Sequence, residues 1–538
     1  MPSQPRHNAM PDLGQLTATQ SLHDLRQGRY LAEALVLACQ ARIDRFNPEL
    51  NALVTLNRDG ALAAAREADR RLAQGGPLPP LLGVPVSIKD AFATRDMRTT
   101  SSFRPLADYR PVADASVVAR WRQAGAILMG KSNLPELAGA PHCWSPLFGL
   151  TRNPWNPALT PGGSSGGSAV AIAAGFSLLE IGSDIGGSIR IPAAYCGVAG
   201  LKATESRIPR TGHIPHLPRE YGGPGRTVWH MLSFGVLARC VADLELGFGL
   251  LAGPDGVDTA APPITPSTHA AASDEADAPM RIALWVDFAG TPLCPRIRRG
   301  LERMAGTLAA AGHTLVRCAA PDFDVRQAWE AFGMIAGAEI GLGMPGWQRR
   351  LLQGLRPFLP RDHTITRAFA RGMAFDLHRY NAALNQREVL IQSLETFLGR
   401  WDAVICPVAP TGPYPGEPMP ASRKPPRLAV GDATLPYLEA TLAMTLPFSL
   451  TGSPVVSLPT GIEDGLPVGV QIIGKRWQDE QLLKVAGRLE KVLGGFVPPP
   501  DISSDGQQGR IDPAALSNRG VEFTRLRTSG HQLACGSS

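Results

Sequence analysis

Gly162-Gly163-Ser164-Ser165-Gly166-Gly167-Ser168-Ala169-Val170-Ala171-Ile172-Ala173-Ala174 leads to Ser177-Leu178-Leu179-Glu180-Ile181 and then to Asp184-Ile185-Gly186-Gly187-Ser188-Ile189-Arg190. The small apolar run 168–174 predicts a helix packed tightly in a core, with the Gly-Ser loop at its N-terminus. Residues 177–181 predict a strand that ends at the second Gly-Gly-Ser. Ser188 then lies just past the carboxyl end of a strand, where open α/β sheets place their sites. Upstream, 84–88 is a short β-branched run, read as a buried strand with Lys89 at its end. A helix over 115–123 and a strand over 126–129 follow. This strand–helix–strand rhythm predicts an α/β fold.

Working outward, residues 1–17 are polar and read as a flexible N-terminus. Ser21-Leu22-His23-Asp24 fits a helix-starting capping box. Leu31, Leu35, Cys39 and Ile43 recur at helical spacing, with Pro48 placed beyond the stop. Residues 59–74 form an Ala-rich helical pattern closed by Gly75-Gly76. A linker or surface loop rich in Ala, Pro, Asp, Ser and Thr covers 253–279. Beyond it, strands are expected at 282–286, 314–318, 404–407, 455–459 and 468–473. Helices are expected over 297–311, across most of 328–398, and over 479–493. From Pro498 no apolar period is sustained, so 498–538 reads as an unstructured tail. One domain is expected over 18–497.

Composition narrows the function. The chain has 538 residues and a net charge of +6, mild for this length and scattered, so no nucleic-acid partner is expected. No apolar run approaches ~20 residues, so no stable membrane insertion is expected, and no secretory signal opens the chain. Eight cysteines stand singly, without metal-ligand spacing. They read as reduced residues of a cytoplasmic protein, with no metal and no cofactor implied.

The two loops carry chemistry. Gly186 and Gly187 let the backbone turn its N–H groups toward one point, which a tetrahedral oxyanion requires. Gly-Gly-Ser alone is more often a plain turn or an anion loop. A serine nucleophile also needs a base. Lys89 is the best candidate, because burial at a strand end disfavours the ammonium form. Pairing with Asp90 would defeat it. His213 and His216, in a Pro-Gly loop, are rival bases that read first as surface or pocket-wall residues. A hydroxyl of Ser164 or Ser165 is placed to relay a proton between Ser188 and Lys89.

These residues resemble the amidase signature family of serine hydrolases. The likeness runs through Gly83 to Asp90, Gly130-Lys131-Ser132-Asn133, Asn153-Pro154-Trp155 and Pro161 to Ser168. It continues through Gly182 to Arg190, Gly200-Leu201-Lys202-Ala203-Thr204, Leu450 to Pro454 and Leu466 to Gln471, covering roughly residues 18–495. The resemblance implies one domain around a large mixed β-sheet surrounded by helices. It implies a Ser188 nucleophile, a bridging Ser164 preceded by a cis peptide bond, and Lys89 as the base. The implied oxyanion donors are the N–H groups of Ile185, Gly186, Gly187 and Ser188. Ser165, Asp184 and Arg190 match supporting positions.

The implied activity is hydrolysis of a small-molecule amide through an acyl-enzyme. A homodimer is compatible with it. Pocket walls are expected from 137–144, 205–232 and 328–398, which carry Trp144, Trp229, Phe332 and Trp347. Those residues favour aryl or alkyl acyl amides, anilides or carbamates, unless they are merely core. The rival within the family is the glutaminase component of the tRNA-dependent amidotransferase. Ile185, where that component usually carries Thr, and the divergent 213–229 segment speak against it.

Overall fold

The computed structural model describes residues 12–214, 225–264, 278–417 and 426–500. In chain order its strands are β1 (Leu53–Leu56), β2 (Pro85–Lys89), β3 (Ile127–Ser132), β4 (Trp144–Ser145), β5 (Gly149–Leu150), β6 (Leu179–Asp184), β7 (Ala199–Lys202) and β8 (Ser233–Ala238). They continue as β9 (Arg281–Leu284), β10 (Thr314–Arg317), β11 (Ala403–Pro407), β12 (Arg427–Val430), β13 (Ala433–Pro436), β14 (Val455–Glu463) and β15 (Leu466–Ile473). Eleven of them form one sheet in the order β1-β3-β2-β6-β8-β7-β14-β15-β11-β9-β10. The runs β3-β2-β6 and β11-β9-β10 are parallel. The strands between them pair antiparallel, so the sheet is mixed.

The sheet is buried beneath helices. Every residue of β2, β3, β6 and β8 is buried, as expected for strands covered on both faces. The helix Gly166–Ala174 is buried at all nine positions, which explains its tiny side chains. Its packing is close enough that a Cβ on Gly167 would stand 2.5 Å from the Asn133 nitrogen. A second core lies under the later helices, where Trp285 stacks on Phe288 at 5.2 Å and meets Phe323, Phe397 and Phe448 edge-on.

Several boundaries differ from the sequence reading. The first helix is Ala18–Arg26, and its capping box is Thr17 with Gln20, not the Ser21 tetrad. Ser21 is a buried residue inside that helix. Pro48 lies within the helix Ala32–Leu50, and Asn51, left-handed at φ 49°, ends it. Leu13 and Leu16 are buried in the core, so the chain packs from residue 13 rather than from 18. Strands β1, β7 and β8 in the large sheet, and the small pairs β4–β5 and β12–β13, add to those expected from the sequence. Residues 1–11, 501–538 and the 265–277 part of the 253–279 linker lie outside the described residues.

Candidate active site

The carboxyl ends of β2 and β6 are neighbours in the sheet and deliver the site's floor. β2 ends on Lys89, and β6 ends on Asp184 at the start of the second Gly-Gly-Ser loop. The first Gly-Ser loop enters the helix Gly166–Ala174 beside them. Lys89 Nζ is fully buried and lies 2.7 Å from Ser164 Oγ, 2.8 Å from Ser165 Oγ and 3.1 Å from Ser183 Oγ. With Ser183 O at 3.4 Å as a fourth oxygen, three of them hydroxyls, the cluster suits either an ammonium or a neutral amine that accepts from one hydroxyl. Burial depresses the Lys89 pKa to about 7, although Cys143, Asp184 and Glu180 pull it the other way. The Gly163–Ser164 peptide bond is cis.

The second loop is shaped by one carboxylate. Asp184 Oδ1 accepts from Gly187 N at 2.7 Å, and Oδ2 accepts from Ile189 N at 3.0 Å. Arg190 adds Nη2 at 2.9 Å and Nε at 3.1 Å in a bidentate pair, both partners fully buried. Burial works to raise the Asp184 carboxyl, but Arg190 outweighs it and holds the group well below the usual carboxylate range. Arg190 is anchored in turn by Thr445 O at 2.9 Å, Ser449 Oγ at 2.6 Å and Gln471 Oε1 at 3.3 Å. Ser165 N donates to Ser188 O at 3.0 Å and ties the two loops together.

The Gly187 N–H, expected among the oxyanion donors, is therefore taken by Asp184. The N–H groups of Ile185, Gly186 and Ser188 find no protein acceptor among the described residues. Gly187 adopts φ 129°, and a Cβ there would stand 2.7 Å from Ile191 Cδ1 and 2.8 Å from Thr445 Oγ1. Only glycine fits that turn. Ser188 is partly exposed, whereas Ser164 and Ser165 are buried.

Asp90 does not pair with Lys89. Its Oδ2 accepts from Thr100 N at 3.0 Å and Thr100 Oγ1 at 2.6 Å, and its Oδ1 lies 3.5 Å from Lys131 Nζ. Lys131 also donates to Phe92 O at 2.7 Å and Thr99 Oγ1 at 2.9 Å. One buried lysine thus faces serine hydroxyls, while its neighbour on β3 straps a loop through a carboxylate. His213 is buried, with its ring 4.9 Å from Phe92 and 4.7 Å from Phe234. His216 lies outside the described residues.

The walls are less legible in the sequence. A Cβ on Gly186 would stand 3.2 Å from Leu446 Cδ2 and 3.8 Å from both Leu442 Cδ1 and Phe332 Cζ. Phe332, expected as a wall, thus borders the second loop. Leu442 and Leu446 escape sequence reasoning, since no motif surrounds them. His142 escapes it too. Its backbone abuts Gly163, where a Cβ would come within 2.5 Å of His142 O, and its Nδ1 lies 2.7 Å from Tyr437 Oη. Trp347 is exposed on the helix Gly346–Leu355.

Comparison with known proteins shows the family to which a chain with this fold belongs. A sequence model of the amidase family matches residues 34–483. The chain belongs to the amidase family. A glutamyl-tRNA(Gln) amidotransferase subunit from Chloroflexus aggregans is 33% identical over 512 residues, covering 92% of this chain and 100% of the relative. The solved 6-aminohexanoate cyclic dimer hydrolase is 27% identical with a TM-score of 0.71, covering 90% of this chain and 98% of that one. A bacterial aryl acylamidase shares the fold at a TM-score of 0.73 and 23% identity, covering 91% and 97%. The chain is accordingly a hydrolase of amide C–N bonds.

Proposed function

We propose that this amidase cleaves amides of apolar acyl groups (aryl or alkyl acyl amides, anilides or carbamates) through a Ser188 acyl-enzyme, with Lys89 as base and Ser164 as relay. The observation that carries the reading is the buried Lys89 amine 2.7 Å from Ser164 Oγ, with its pKa near neutrality. Neutral Lys89 accepts the Ser164 proton as Ser164 takes the proton of Ser188. Ser188 Oγ bonds to the carbonyl carbon, and the carbonyl oxygen becomes the oxyanion. The N–H groups of Ile185, Gly186 and Ser188 are its donors; Gly187 contributes by holding the turn through Asp184. One such donor is worth ~3–4 kcal/mol. On collapse the C–N bond breaks, and the proton on Lys89 returns through Ser164 to the departing amine. Water then cleaves the ester by the same route in reverse.

The acyl preference rests on Phe332, Leu442 and Leu446, three apolar side chains beside Gly186. The relatives named as amidotransferase subunits supply a second reading, a glutaminase that works inside a complex. Free glutamine brings an ammonium and a carboxylate, and burying them against these three side chains is unfavourable. The test is to purify the chain alone and compare an anilide, a long-chain amide, a carbamate and glutamine. Turnover of the apolar amides without glutamine hydrolysis is expected. Glutamine as the best substrate, or activity only with partner subunits, would overturn the reading.

A further inference from the structure

The helix Gly346–Leu355 wears its amphipathic pattern inside out. None of its residues is buried. Trp347, Leu351 and Leu355, followed by Phe358 in the next turn, recur at i, i+4, i+8 and i+11 and so share one stripe. That stripe faces solvent, with exposures of 66%, 56%, 48% and 81%. Two polar side chains turn inward instead. Arg349 lies over the Phe375 ring at 4.1 Å, and Gln353 Nε2 donates to Met373 O. Phe375, beneath Arg349, has Cε1 3.3 Å from where a Cβ on Gly341 would stand, which seats this helix beside the end of the helix Val325–Leu342. An exposed apolar stripe of this kind marks an interaction site.

Charge chooses the occupant. Residues 346–361 contain Arg349, Arg350, Arg356 and Arg361 and no Asp or Glu. Arg350 and Arg361 are exposed, and neither meets a carboxylate among the described residues. Two copies of the chain docked through this face about a two-fold axis would set arginine against arginine. An anionic lipid surface complements both features. Its acyl boundary takes Trp, Leu and Phe, and its phosphates take the guanidinium groups. No helix among the described residues is long and apolar enough to cross a membrane, so the contact would be peripheral.

We propose that the 347–358 stripe is a peripheral docking surface for anionic bilayers. Phe332, on the helix whose end borders this patch, lies about 15 Å back toward the catalytic floor at 1.5 Å per residue. The surface is separate from the catalytic groups, so substitutions on it leave turnover of a soluble amide unchanged.

The test is co-sedimentation of the full-length protein with phosphatidylcholine vesicles and with phosphatidylcholine–phosphatidylglycerol vesicles. Binding is expected to the anionic vesicles only, weakening as salt rises. Leu351→Ser with Phe358→Ser should lower the bound fraction about tenfold, and Arg350→Gln or Arg361→Gln about fivefold each. Hydrolysis of a soluble amide by each variant, unchanged from wild type, shows that the fold is intact. The proposal is overturned by absence of binding to anionic vesicles, or by double-variant binding equal to wild type. It is also overturned if light scattering shows a dimer that the double variant dissolves, because the face is then a self-interface.

Discussion

Beneath Ser188 the site is polar and locked, whereas beside it the wall is carbon held by packing. The floor consists of Lys89, Ser164, Ser165, Asp184 and Arg190, each fixed by hydrogen bonds to named atoms. The wall consists of Phe332, Leu442 and Leu446, which come from helices far along the chain and meet the second loop at Gly186. The contrast separates two jobs. In the proposed mechanism the floor groups act on charge that appears during the reaction, so their loss should lower turnover of every substrate. In the proposed mechanism the wall groups contact the acyl chain before and during the reaction, so their loss should change the ranking of substrates.

Ser188→Ala tests the floor with the largest effect. Turnover should fall by about 10⁴-fold or more on all amides alike. Labelling with a fluorophosphonate should place the adduct on the peptide spanning Gly187 to Ile189, as read by mass spectrometry. An adduct on Ser164 with Ser188 free would reverse their assigned roles.

Ser164→Ala should cost less, about 10²–10³-fold, because water can stand in for a relay but not for a nucleophile. The loss should again be uniform across substrates. A ranking with Ser164→Ala below Ser188→Ala, both variants folded by circular dichroism, would contradict the relay.

Leu442→Ser and Phe332→Ala should act on the wall. Relative kcat/KM for a long or aryl acyl amide against acetamide should drop about 10–100-fold, with little change for acetamide itself. Equal losses on both substrates would mean that these side chains support the loop and do not select the acyl group. The smallest expected effect belongs to the C-terminal residues. A chain ending near Pro498 should keep its turnover, and a large loss of kcat would show that the removed segment serves the site.

The same contrast explains what the sequence discloses. The floor is legible because each element is local: Lys89 closes a β-branched run, and the serines sit in Gly-rich loops within one short span. Its exception is the Gly187 N–H, whose capture by Asp184 depends on where Arg190 pins the carboxylate, a contact reaching to Thr445 and Ser449. The wall is mostly hidden because Leu442 and Leu446 look like ordinary core residues in one dimension. Strand β8 is hidden for a similar reason. Gly235 interrupts its apolar run, and its role emerges only in three dimensions, where a Cβ would stand 1.7 Å from Leu201 O. The helix Ala32–Leu50 outruns its proline because the left-handed Asn51, rather than Pro48, stops it.

The most direct test of the central claim is the pH dependence of kcat/KM for a matched amide and ester in wild type and in Lys89→Ala. With the Lys89 pKa lowered by burial to about 7, the amine is charged below that value and neutral above it, so activity should rise through pH 7 on a single ionisation. Lys89→Ala should abolish that limb and lower amide hydrolysis by about 10²–10⁴-fold. The ester should suffer less, because an alkoxide leaves with less need of the returned proton. An unchanged pH profile in the variant, or equal losses on amide and ester, would show that Lys89 is not the base.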